Sequence, residues 1–192
     1  MGKSRQRERL MGRSRPTLPY RLLVDVDGAE QARQRLERAA AAARQARLAE
    51  RGLDEALAEV DAAQAELDGC YETIVLRALP LSGTVTVETL TAEHPPTEAQ
   101  MAEAKVAREK ARAAGDPVPP WPAWNVETFQ PALLAASAPD AGMSPDDWAS
   151  MLGTRMSAGE VRGLWAACMA INLTGRAAEP VVLPKGWTTT RS

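Results

Sequence analysis

Few side chains in this sequence are of a type and spacing that could do chemistry. His94 is the sole histidine; it precedes Pro95-Pro96 and has no cysteine, serine or acid at a recognisable catalytic or metal-ligating distance along the chain. Capping or packing at that turn is its expected role. Cys70 and Cys168 lie 98 positions apart in apolar helical settings. Cysteine there behaves as a small buried hydrophobe, and no cation or helix start stands nearby to lower a thiol pKa. Two cysteines make neither a disulfide framework nor a cysteine-based metal site. No glycine-rich phosphate loop, nucleophile elbow, paired-histidine motif or calcium loop is present. The acids are spread as helix caps and solvated faces. The expectation is therefore a non-enzymatic protein: no catalytic, cofactor-binding or metal-binding residue is assigned, no cofactor is implied, and the binding residues stay unassigned.

The elements that would hold any such groups are read from composition first. The 192 residues include 36 alanines but only 4% aromatic residues, with 45% hydrophobic and 25% charged. Alanine is the strongest helix former and adds little bulk, so close-packed helices are expected, with little or no β-structure. No apolar run approaches the ~20 residues that cross a bilayer, and the basic opening is not followed by a signal-like apolar stretch. A membrane partner is not expected. Net charge is −2, yet residues 1–52 hold 13 basic against 6 acidic side chains and residues 53–192 hold 10 against 19. Such a split suits either a nucleic-acid arm or two parts of one protein that pair.

The pattern favours pairing. Ala29, Ala32, Leu36, Ala39, Ala43 and Ala46 follow a heptad rhythm, as do Leu53, Leu57, Val60, Gln64, Leu67, Tyr71, Ile74 and Ala78. The first stretch is rich in arginine. The second carries seven acids and no base between 53 and 76. Gly52 supplies the turn between them. An N-terminal antiparallel helical hairpin of coiled-coil character is expected, its basic arm on its acidic arm. Gln64 in the seam is either a register or oligomer device or a tolerated polar residue.

Five regions follow. Residues 1–17 read as a disordered basic tail, since six positive charges come with little to bury and no aromatic residues interleave to stack on bases. Residues 18–80 read as an extended, β-prone segment (Tyr20 to Val26) plus the hairpin. Residues 81–124 form a connecting region with one helix, Glu98 to about Ala114, opened by a Thr97/Gln100 capping box and closed at Gly115; strand or helix is open for 82–93. A Pro/Trp linker, 117–124, follows, read as a crossing that packs its indoles on the core. Residues 125–174 form a bundle of short helices, with Asn125, Ser144 and Ser157 as caps and Pro131 in the first turn of a helix Ala132 to Ser137. Residues 175–192 read as an extended tail.

One order of segments carries a resemblance. Ile74 to Pro80, then Leu90-Thr91-Ala92-Glu93-His94-Pro95-Pro96-Thr97-Glu98, then Trp124-Asn125-Val126-Glu127-Thr128-Phe129-Gln130-Pro131 and the apolar stretch to Ser137, resemble the tail assembly chaperones of long-tailed (siphovirus-type) phages of actinobacterial hosts. A later helix in those proteins commonly ends in Ala-x-x-x-Asn, and Ala167 to Asn172 is similar. The likeness spans roughly 70–173. Where those proteins carry a polar, tyrosine-containing helix before the His-Pro-Pro turn, this chain has Ser82-Gly83-Thr84-Val85-Thr86-Val87. The resemblance implies a non-catalytic helical protein that binds the phage tape measure protein while the tail tube assembles. It implies presence in the host cytoplasm during assembly and absence from the mature virion. It leaves open self-association and a frameshifted longer form. Two other readings stand beside it: a virion structural protein (head–tail connector or minor tail component), and a small DNA-binding protein using Arg5 to Arg15 as an arm. Nucleic acid is the disfavoured partner.

Overall fold

The computed structural model describes residues 2–174, so the tail expected at 175–192 lies outside the described residues. The chain is mainly α-helical, with eight α-helices and one two-stranded sheet among the described residues. It divides into two compact units: Pro19–Ile74, and the remainder.

In the first unit, α2 (Val26–Leu48) and α3 (Leu53–Gly69) lie against each other across a four-residue turn. Asp25 caps α2 by accepting from the Gly28 N–H, and Gly52 opens α3 with φ 67°, a left-handed conformation that glycine adopts without a Cβ clash. Ala29, Ala32 and Ala63 are buried in the seam, where their small side chains bring the two backbones close. Arg35 reaches Glu66 (2.9 Å) and Glu59 (3.4 Å) on one flank, while Arg21 meets Asp68 at 2.7 Å. These exposed pairs fix orientation more than they add stability.

The seam of α3 differs from its expected register. Half-buried and buried positions are 53, 56, 60, 63, 67 and 70. Ala56 and Ala63 face α2, and Leu57 and Gln64 turn outward, with Leu57 47% exposed. A close helix pair favours the small residue of each adjacent pair. Gln64 is thus not a seam residue.

The second helix was expected to run through Tyr71, Ile74 and Ala78; instead it stops at Gly69 and β2 (Tyr71–Arg77) follows. Thr73-Ile74-Val75 is a β-branched run that is stiff in a helix and well suited to a pleated surface. β1 (Thr17–Leu23) supplies the partner strand, so the sheet is a small one rather than none. The pairing is antiparallel, with the Val24 N–H donating to the Cys70 carbonyl (2.9 Å) at one end and the Ala78 N–H to the Pro16 carbonyl (3.0 Å) at the other. β1 begins earlier than Tyr20, and Val26 belongs to α2.

In the second unit the 1–17 segment, expected to be disordered, carries helix α1 (Gly2–Met11). Its arginine, glutamine, glutamate, leucine and methionine are all good helix formers. The connecting region holds two helices rather than one, α4 (Val87–Glu93) and α5 (Glu98–Ala114). Thr84 to Val87 forms no strand, because Thr86 instead closes a capping box with Thr89 and starts α4. α5 buries no residue, opens with the Thr97/Gln100 capping box and ends at Gly115 with φ 74°.

The core of this unit is α6 (Val126–Ser137), which buries Phe129, Ala132, Leu133, Leu134 and Ser137. Against it stand Trp148 of α7 (Pro145–Thr154) and Leu164 and Cys168 of α8 (Ala158–Met169), with Ile171 in the π-helical turn Ala170–Thr174. Pro131 lies inside α6, not in its first turn, because the Asn125 cap starts one continuous helix that carries Phe129 and Leu133 on the same buried face. Ser144 and Ser157 close capping boxes with Asp147 and Glu160.

The cap hydroxyls and amides hold the Asp147 and Glu160 carboxyls below the usual carboxylate range. A group whose folded pKa is depressed gives stability that is present above its unfolded pKa and is lost as pH falls through the folded pKa. Thermal unfolding scans from neutral to acid pH should show the midpoint falling below about pH 4. Ser144→Ala and Ser157→Ala should each cost about 1 kcal/mol at neutral pH and reduce that acid dependence.

Candidate functional site

Two of the segments that carried the resemblance, those at 90–98 and 124–137, meet in one junction of the second unit. The turn His94-Pro95-Pro96-Thr97 follows α4, and each proline denies the helix an amide donor. The His94 carbonyl accepts from the Asn125 N–H at 2.8 Å. Asn125 Oδ1 accepts from the Glu127 N–H (3.1 Å), capping α6, and from the Gln100 side-chain amide (3.1 Å). The Gln100 Oε1 in turn accepts from the Thr97 N–H at 3.1 Å, and the Gln100 N–H donates to Thr97 Oγ1 at 3.2 Å. One glutamine thereby locks both helix starts together, a role that its place in a capping box did not foretell.

An aromatic group sits on this frame. Trp124 stacks on Phe129 with ring centroids 4.5 Å apart, and Trp165 of α8 presents its edge to both, at 6.5 and 6.1 Å. The His94 ring stands edge-on to Phe129 at 6.4 Å. Phe129 is fully buried, whereas Trp124, Trp165 and His94 are half-buried. The two indoles and the imidazole thus gather on the buried Phe129 ring, each with part of its surface left to solvent. His94 packs at its turn as the sequence suggested.

The two tryptophans of the Pro/Trp linker part ways. Trp124 stacks on the buried Phe129, but Trp121 is 47% exposed and lies under the Arg108 guanidinium of α5, 4.6 Å from its ring centroid. Arg108 also donates to the Pro119 carbonyl, so the linker folds back on α5.

Cys168 is fully buried, and burial pushes its thiol up to about 11, against the opposing effect of hydrogen bonds with Ser137 and Asn172. Burial likewise raises the Cys70 thiol, with Asp25 and Glu66 adding to the rise. Neither supplies a thiolate at neutral pH. Beside Cys168 lies the clamp that the sequence reading missed. Asn172 Oδ1 accepts from the Leu79 N–H (2.8 Å), and its Nδ2 donates to Ser137 Oγ (2.9 Å) and to the Cys168 carbonyl (2.9 Å). Among the described residues, no group of three or more histidines, cysteines or acids is placed to hold a metal ion, and no helix is long and apolar enough to cross a membrane.

Compared with protein-family models, curated proteins and solved structures, the chain finds no match.

Asn172→Ala should destabilise the protein by about 2 kcal/mol, read as a shift in the urea midpoint, because it leaves the Leu79 N–H without its acceptor. The same change should speed labelling of Cys168 by a thiol reagent at pH 8, which in the parent protein should proceed only on unfolding.

Proposed function

We propose that this chain is a non-catalytic assembly chaperone of a long-tailed phage of an actinobacterial host, binding the tape measure protein while the tail tube is built. The observation that carries this reading is the convergence of two of the resembling segments. The His94-Pro95-Pro96-Thr97 turn and the Trp124 to Phe129 segment are 25 or more positions apart in sequence, yet share the hydrogen bonds of Asn125 and Gln100 and one aromatic group. Residues combined in that way act as one unit. Their exposed part is indole and imidazole rather than a nucleophile or a ligand cluster.

In this reading α2 and α3 make an antiparallel helical hairpin of coiled-coil character, a form whose open faces suit association with other helices. The client segment docks on Trp124 and Trp165, the half-buried members of the aromatic group. The protein acts in the host cytoplasm and leaves before the virion is complete.

Co-expression with the tape measure protein of the same phage should give a complex that co-purifies. Trp124→Ala and Trp165→Ala should weaken that complex about tenfold or more, as expected for central aromatic anchors, with helical circular dichroism retained. Absence of any complex with the intact protein would remove this reading.

A further inference from the structure

The helix pair of the first unit is under-buried for its length. From residue 33 to residue 62 not one side chain is buried, although both helices are regular throughout. Helices in proteins draw most of their stability from burying an apolar face, so a stretch like this calls for cover.

The two flanks of the pair differ in what they leave unsatisfied. On one, Arg35 already bridges to Glu59 and Glu66 within the chain. That flank carries a groove of about 570 Å³, and the other carries one of about 280 Å³ lined by Ala43, Arg44, Arg47, Leu53 and Leu57. Leu57 is 47% exposed there, and among the described residues Arg44, Arg47, Asp54 and Asp61 take part in no ion pair. Helical spacing puts Arg44 and Arg47 on this flank of α2, and Asp54, Leu57 and Asp61 on the same flank of α3.

We infer that this flank binds a second copy of the chain, forming a four-helix bundle of two helix pairs. The argument is charge complementarity combined with the exposed leucine. A twofold axis along the pair, with both turns at the same end, sets α2 of one protomer beside α3 of its partner. Every helix then lies between two helices of opposite charge, basic beside acidic all round. Counted from the turn, Arg47 is level with the partner's Asp54, and Arg44 falls between the partner's Asp54 and the partner's Asp61. Leu57 is level with residues 43 and 44, so it enters the space over the partner's Ala43. An unrelated helix would need this same charge pattern by coincidence; a second copy carries it by necessity. This inference is independent of the client proposed above.

The experiment is sedimentation velocity on the full chain over a range of concentrations, at low and at high salt. A dimer that weakens as salt rises is expected. Leu57→Glu should weaken it about tenfold or more, by placing a charge at the centre of the interface. The decisive comparison uses two charge-reversed chains, one with Arg44→Glu and Arg47→Glu, the other with Asp54→Arg and Asp61→Arg. Each alone should sediment as a monomer, and their equimolar mixture should restore the dimer. A monomer at every concentration, a dimer indifferent to Leu57→Glu, or no recovery in the mixture would each overturn the inference.

Discussion

The amide of Asn172 is the interaction on which the larger unit depends. Its oxygen takes up the Leu79 N–H just past the end of β2, and its nitrogen ties the last residue of α6 to the carbonyl of Cys168 in α8. Three segments that are remote in sequence are thus joined through one side chain with both ends satisfied. In a setting of low dielectric such bonds are strong, and leaving any of them unmade is costly. The π-helical turn at Ala170–Thr174 is the local irregularity that accompanies this clamp. With α6 held at both ends, by Asn125 at its start and Asn172 near its finish, Phe129 is fixed as the base on which Trp124, Trp165 and His94 assemble.

The smaller unit rests on a different constraint, the closeness that alanine permits. Ala29, Ala32 and Ala63 are fully covered, which brings the helices near enough for Arg35 to reach two glutamates. The cost of building a seam from alanine is that little apolar area is buried per residue. That is why the pair is open along most of its length, with Leu36, Leu53, Val60 and Leu67 only half-buried and Leu57 turned outward.

Local signals were the legible ones. The capping boxes at Thr97 and Ser157, the Asn125 and Ser144 caps and the turns at Gly52 and Gly115 could be read directly, because each depends on a few adjacent residues. Signals shared by two structures misled. Tyr71, Ile74 and Ala78 continue a heptad rhythm by spacing, but the β-branched run between them, and a strand partner some 50 residues earlier, decide for β2. Leu57 and Gln64 match a heptad as well as Ala56 and Ala63 do. Only the distance between helices chooses between them, and that distance is not written in either helix alone. The basic opening was read from its charge, whereas its backbone follows helix propensity and forms α1. Of the aromatic group, every member was visible as a residue, but its assembly depends on Gln100 bridging to Asn125, a contact between elements that no single segment announces.

We propose that the aromatic junction, framed by two capped helices, serves a transient assembly partner rather than a reaction or a permanent place in a particle. Quantitative mass spectrometry of phage-infected cells and of purified particles tests it most directly. The account predicts abundant protein in cells and none in finished particles. A fixed copy number in the particles would contradict it and make this chain a structural component of the virion.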